Sequence, residues 1–392
     1  MVDGFRDHPT VGPVVVGWVF LNLVAGSIPL AASGLYLSQP LLIALIAYFC
    51  LLRLGESRAL TMPFAALVCA VTIALPLISS GTDNDRFVPE QLKMLMLVVG
   101  VPVIGMYLRW SHVPLMARFV PPILCGIILV VVALGLGDYY GDERFGVPAL
   151  GSPNTTAFVI TISLAFACYN ADLRGKVHLF DVAILAVLLG TLIATDSDGG
   201  KVSVLFLGLR YLRVPMRVLV PVALTVVAVV ILMIVLLGIE LPDLLGSGRL
   251  HIWRTLTYDL FHSGWIHLLL GFGPGAIDLE PGFTASIRSA HSMFIEVAYA
   301  YGLVGLVAMV YFTAMMGIRL DRAPLAAKPR RFLEGLYVAM LSGAFVDAYF
   351  VTAQLVWLGV LVLAMLTGLA ALLNGGRRDR PVLRQKIARQ WS

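Results

Sequence analysis

Phe119-Val120-Pro121-Pro122-Ile123-Leu124-Cys125-Gly126-Ile127-Ile128-Leu129-Val130-Val131-Val132-Ala133-Leu134-Gly135-Leu136-Gly137 carries no charged side chain from end to end. At 1.5 Å per residue, a helix of this length crosses about 30 Å of hydrocarbon. Apolar residues follow one another without alternation, which favours a helix over a strand of a membrane barrel. The pattern recurs on both sides. Working outward, apolar runs stand at 14–32, 35–53, 61–80, 91–108, 119–137, 153–171, 179–196, 201–212, 214–238, 291–318, 331–350 and 353–374, the eighth being the shortest. The first run is as long as the others and no small-residue cleavage site follows it, so it reads as a span rather than a signal peptide. The whole chain of 392 residues is 59% hydrophobic and 13% charged, against about 25% charge in a soluble domain. The expectation is an all-α polytopic membrane protein, residues 1–392 forming a single domain of about 12 transmembrane helices.

The charges give this layout an orientation. With the N-terminus inside, 21 of the 28 Lys and Arg fall in segments on the cytoplasmic side. The other face keeps Arg86, Lys93, Arg144, Lys201, Arg249, Arg254 and Arg288. Such a bias predicts an even number of spans with both termini cytoplasmic. It also accounts for the net charge of +5, so no nucleic-acid partner is implied. Cys50, Cys69, Cys125 and Cys168 all lie inside apolar runs and read as small buried hydrophobes rather than disulfide or metal ligands.

The connections are short except for one outward-facing loop, residues 239–290, between spans nine and ten. Long loops within compact proteins are usually functional. Three features stand in it. Gly246-Ser247-Gly248-Arg249-Leu250-His251-Ile252-Trp253 places Ser247 as a helix N-cap. Ile252, Trp253, Leu256 and Leu260 then recur at helical spacing, as on a helix lying in the membrane interface. Arg249 in the first turn is unfavourable for the helix itself, and local rules are often broken at functional sites; the plainer reading is a snorkelling anchor. Leu270-Gly271-Phe272-Gly273-Pro274-Gly275 is a tight turn, more simply explained by backbone packing on another helix than by ligand contact. Ser286-Ile287-Arg288-Ser289-Ala290-His291 runs into the tenth span, with Ser289 expected to cap it and His291 in its first turn. His291 is then a proton acceptor at the membrane edge or an interfacial histidine satisfied by water.

Elsewhere on this face, Asp196-Ser197-Asp198-Gly199-Gly200-Lys201 precedes the eighth span. Lys201 could bring a point charge to a phosphate, and Lys93 either does the same or snorkels. Glu296 and Asp347 lie in spans ten and eleven, where an ionisable group is costly and serves either function or an ion pair.

Taken together, the chain resembles the O-antigen ligase/polymerase family of bacterial envelope enzymes. The resemblance is carried in order by Pro153-Asn154, by Ser197 to Lys201, by Gly248-Arg249 with Trp253 leading to Gly271, Gly273 and Gly275, and by Ala290-His291 followed by Glu296, Gly302, Leu303 and Gly305. The set is specific, no element alone is. The chain departs from the family in offering Ser197 and then Lys201 where serine followed by arginine is common, and Ser292 where asparagine usually follows the Ala-His pair.

The resemblance implies a glycosyltransferase of the bacterial inner membrane with its active site facing the periplasm. It implies an undecaprenyl-pyrophosphate-linked glycan as donor and lipid A–core as acceptor for a ligase, or a second lipid-linked glycan for a polymerase, within membrane lipids. No cofactor is implied. It further implies His291, Arg249 and Arg288 as catalytic residues, and Lys201, Trp253, Gly273, Lys93 and Asn154 as substrate-binding ones. The outer face offers no metal-ligand spacing, so the cations of the protein would stabilise the leaving pyrophosphate and His291 would take the proton of the attacking hydroxyl. Attack opposite the pyrophosphate inverts the anomeric carbon. A lipid-linked glycan transporter without chemistry is the competing class.

Overall fold

A computed structural model of the chain describes residues 11–25, 28–30, 35–54, 87–108, 110–140, 144–214, 218, 249–278, 289–323, 325–346 and 356–375. The protein is predominantly helical. The helices are α1 (Val11–Ala25), α2 (Ser38–Leu54), α3 (Phe87–Tyr107), α4 (His112–Ala133), α5 (Pro153–Arg174), α6 (Leu179–Ala194), α7 (Asp198–Tyr211), α8 (Arg249–His262), α9 (Trp265–Leu270), α10 (Met293–Arg322), α11 (Ala327–Val346) and α12 (Val356–Gly375). Ten of these lie on apolar runs expected to span; the runs at 61–80 and, but for Val214 and Val218, 214–238 lie outside the described residues. So do Ser247, Arg288, Asp347, Cys69 and the basic tail from Arg377.

By length and composition, α4, α5 and α10 are each long and apolar enough to cross a membrane. α1, α6 and parts of α2, α3 and α12 are shorter apolar helices. Large apolar side chains are exposed along α4, α6 and α10, among them Val132, Ile193, Val307 and Tyr311. A soluble protein would bury such surfaces; helices in lipid need not.

Among the described residues, two departures from an all-helical chain occur. The first run ends as helix at Ala25, and Pro29–Leu30 (β1) pairs antiparallel with Leu35–Tyr36 (β2). Proline lacks the N–H needed to continue a helix, and the next helix starts only at Ser38. The second hairpin pairs Asp138–Tyr140 (β3) with Arg144–Gly146 (β4), Tyr139 opposite Phe145. It leads through a 3₁₀ turn at Pro148–Leu150 into α5. Thr155 and Thr156 strap this connection to the helix start. Thr155 Oγ1 donates to the Leu150 carbonyl at 2.8 Å, and the Val147 N–H donates to Thr156 Oγ1 at 3.1 Å.

The main core runs the length of the bundle. α5 is its axis: Phe158, Ile160, Ala165 and Phe166 are fully buried, and Tyr169 stacks on Phe332 of α11 at 4.6 Å between centroids. Trp18 of α1 meets Trp357 of α12 edge-on at 5.5 Å and donates Nε1–H to the Leu41 carbonyl at 3.0 Å. Cys125 is buried here with a free thiol, as expected of a small hydrophobe; Cys168, also free, is half-buried. One end of the bundle is tied by charge. Arg210 of α7 pairs with Glu334 of α11, both nearly buried, and Arg331 pairs with Asp172 of α5 at 3.1 Å. Such pairs mainly fix which helices meet, since desolvation consumes much of the Coulomb gain.

Candidate active site

A second, smaller core forms around the start of α10. Ile252, Trp253, Leu256 and Leu260 are buried there with Ile277, Ala290 and Tyr299. The apolar stripe of α8 that suggested contact with lipid therefore packs on protein. Helical periodicity identifies a buried face without saying what buries it.

Trp253 joins the two stretches that the sequence sets 37 residues apart. Its Nε1–H donates to the Ala290 carbonyl at 2.6 Å. Arg249 opens α8 one turn earlier, on the same face as Trp253, and is only 6% exposed. A snorkelling arginine reaches water with its head group; this one does not. Arg249 is therefore buried at the start of the helix whose Trp253 holds the Ala290–His291 turn.

The turn before α10 is built by Glu296. Its Oε2 accepts from the Ala290 N–H at 2.7 Å and from the Ser289 hydroxyl at 3.2 Å. Ser289 Oγ in turn accepts from the His291 N–H at 3.2 Å. The helix starts later than expected: its N-cap is Ser292, in an extended conformation. Ser289 caps nothing because its hydroxyl closes a local turn two residues on, a competing bond that short hydroxyl side chains often make. His291 sits just outside the helix, half-buried, in the left-handed region at φ 50°. That conformation is uncommon without glycine and occurs at sites where surrounding contacts dictate the backbone. Here those contacts are Glu296 and Trp253 on either side of Ala290. Glu296 is thus the anchor of the turn. Ser292 Oγ is buried and finds no partner among the described residues.

The glycine turn locks the same region from the other side. Gly302 interrupts α10 at φ 65°, ψ −165°. In a continuous helix the carbonyls of Tyr299 and Ala300 would accept from residues four positions on. They accept instead from Phe272 N–H at 2.8 Å and Gly273 N–H at 3.0 Å. A Cβ on Gly271 would stand 2.4 Å from the Ala300 carbonyl carbon, and one on Gly302 2.2 Å from the Leu269 oxygen. Close backbone approach explains this motif. Gly273 spends its N–H on α10, so it shapes the site rather than donating to a ligand. His267, Phe272 and Tyr299 stack in sequence beside it, at 4.7 and 4.6 Å.

Asn154 and Lys201 belong to another polar group, where the first turns of α5 and α7 touch. A side chain at Gly200 would stand 2.7 Å from Ala157 Cβ. Ser197 caps α7 by accepting from the Gly200 N–H at 3.3 Å. Lys201 pairs with Asp196 and lies 3.9 Å from Asp198. The hydrogen bond from Lys201, joined by the charges of Lys201 and Arg144, holds the Asp196 carboxyl below the usual carboxylate range. A phosphate at Lys201 competes with Asp196, which is well exposed.

Arg144 is the residue that motif reading missed. Its Nη2 donates to Asn154 Oδ1 at 2.8 Å and its Nε to the Thr195 carbonyl at 3.3 Å. The one signal for it was its place among the seven cations assigned to the outer face. Lys93, on α3, is 5% exposed and does not snorkel.

No family model matches this chain, and no curated protein matches it. What the site can do rests on its own chemistry. A buried guanidinium at a helix start offers a planar fork of donors suited to phosphate oxygens. His291, half-buried, follows the Ala290 whose carbonyl Trp253 holds. Among the described residues, no three His, Cys, Asp or Glu side chains gather as metal ligands.

Proposed function

We propose that the chain is a membrane glycosyltransferase of the O-antigen ligase type, moving a glycan from undecaprenyl pyrophosphate to a sugar hydroxyl on lipid A–core. The reading places twelve spans in a bacterial inner membrane, with both termini cytoplasmic and residues 239–290 in the periplasm. The observation that carries it is the Trp253–Ala290 hydrogen bond, which puts the Arg249 and His291 stretches into one buried assembly, as a shared site requires.

In this mechanism Arg249, with Arg288, holds the pyrophosphate and stabilises the charge that grows on it as the glycosidic bond breaks. His291 takes the proton from the acceptor hydroxyl as its oxygen bonds to the anomeric carbon from the opposite side, with inversion. The pyrophosphate leaves with the electron pair. Asn154 with Arg144, Lys201 and Lys93 would contact the rest of the donor, and no metal enters the reaction. Glu296 acts through the turn it holds, orienting His291.

The test is a reconstituted reaction of the full chain with lipid-linked glycan, with and without lipid A–core. A lipid A–core product formed only in its presence supports the ligase. Lengthened lipid-linked chains formed without it make the protein a polymerase. The break in α10 at Gly302 favours a second reading, because interrupted helices are common in transporters. Movement of lipid-linked glycan across proteoliposomes, with no bond made in either tube, would establish that reading instead.

A further inference from the structure

The small core around Trp253 uses one face of α8. The opposite side of the α8–α9 segment is also apolar, and it is bare. Tyr258 is 62% exposed, Phe261 58% and Trp265 71%, followed by Ile266 and Leu269 on α9. Contiguous bare side chains of this size mark an interaction surface. Tyr258 and Phe261 stand at i and i+3 on α8, and Trp265, Ile266 and Leu269 follow on α9 after the bend at Gly264.

Three observations say what covers them. The face continues directly into a surface already turned outward. Leu269 abuts Gly302 backbone to backbone, and beyond Gly302 the bare residues Val304, Val307, Val310 and Tyr311 follow along α10. α10 is among the helices fit to cross a membrane, and only 22% of its apolar stretch is buried in the protein. The composition also changes along this line. Aliphatic side chains dominate on α10, while Tyr, Phe and Trp dominate on α8 and the start of α9, the order found from bilayer interior to bilayer interface. Finally, the exposed cation of α8, Arg254, lies with His251 towards its other end, while the one exposed polar ring beside the aromatic face, His262, stacks on Tyr258. An interfacial segment needs this division.

We propose that Tyr258, Phe261, Trp265, Ile266 and Leu269 are seated in the bilayer interface, so that α8–α9 is a monotopic element fastened to α10 by the glycine turn. The lipid then fixes the depth of α8 on one face while Trp253 fixes the Ala290–His291 turn on the other. Resting on the proposed function, this sets Arg249 near the level at which a lipid-linked donor carries its pyrophosphate. The seating itself is tested without any measurement of activity.

The full chain is reconstituted in nanodiscs of phosphatidylcholine brominated either high (6,7) or deep (11,12) on the acyl chain. Tryptophan emission of the wild type is compared with that of Trp265→Phe, and the difference is assigned to Trp265. The expected difference spectrum is blue-shifted, is quenched more by the shallow bromines than by the deep ones, and resists aqueous iodide. Ile266→Trp, placed in the Trp265→Phe background, should report the same depth if the loss of Trp265 perturbs assembly. Quenching by iodide with indifference to bromine would put the face in water. Indifference to both quenchers would mean that protein covers it. Either result overturns the proposal.

Discussion

Arg249 is 6% exposed and shares a helix face with Trp253, which grips the carbonyl of Ala290. An arginine so placed acts through the shape of its guanidinium as well as its charge, and lysine reproduces only the charge. Arg249→Lys is therefore expected to lower transfer by about 10²- to 10³-fold, the usual effect of losing one oriented donor to a developing anion. Turnover of the purified variant at normal thermal stability measures it; near wild-type turnover would leave Arg249 a structural role. Lys201 poses the opposite case, since Asp196 already occupies it. The carboxyl is held below its usual range, so the pair contributes above the unfolded Asp value of about 3.9 and is lost only as pH falls through the lower folded value. Across neutral pH the pair persists, and an exposed pair of this kind is weak. Asp196→Asn is expected to lower the KM for donor by roughly two- to five-fold, with kcat unchanged. An unchanged KM would show Lys201 to be Asp196's partner and nothing more. The attraction of Lys201 is legible in the sequence, whereas its pairing with Asp196 depends on how the turn before α7 folds. Arg144 was harder to see, because its bond to Thr195 spans 51 residues and short strands such as β3 and β4 leave little pattern.

α10 is one element made of two pieces, and the break belongs to the site. Gly302 adopts a conformation open essentially to glycine alone, of order 1 to 3 kcal/mol for other residues, and a side chain there would strike the Leu269 carbonyl. Gly302→Ala is expected to lower the melting temperature in detergent by several degrees and to abolish transfer, because straightening α10 takes back the carbonyls that hold Phe272 and Gly273. A stable variant with full activity would show that the break is incidental. The sequence marked both glycine stretches and assigned the turn to backbone packing, which is what Gly271 and Gly302 do. It assigned the wrong face of α8 to the interface for a physical reason: Ile252, Trp253, Leu256 and Leu260 form one apolar stripe, and Tyr258 and Phe261 begin another that Trp265 continues on α9. Periodicity does not say which meets protein. The start of α10 was likewise displaced from Ser289 to Ser292, since either serine is a competent cap and only the bond to Glu296 decides between them.

At the scale of the molecule, long uncharged runs made most of the helices readable, whereas the hairpin after α1 rests on Pro29 interrupting such a run. The distribution of arginines and lysines predicts an orientation for the bundle. On a background without native cysteines, a thiol at Asp278 is expected to react with an impermeant reagent added from outside, and one at Arg378 is expected not to. Labelling of Arg378 alone would invert the protein and move the site to the cytoplasmic face. The central claim is that the whole chain makes a glycosidic bond, with the Arg249 and His291 stretches serving one site. The direct measurement is single-turnover transfer by purified protein in proteoliposomes carrying lipid-linked glycan and lipid A–core, alongside donor binding, for wild type and His291→Ala. The account predicts that the variant binds donor as the wild type does while transfer falls by about 10²- to 10⁴-fold, the range for removing a general base. Transfer at the wild-type rate by folded His291→Ala, or loss of donor binding in step with transfer, would contradict it.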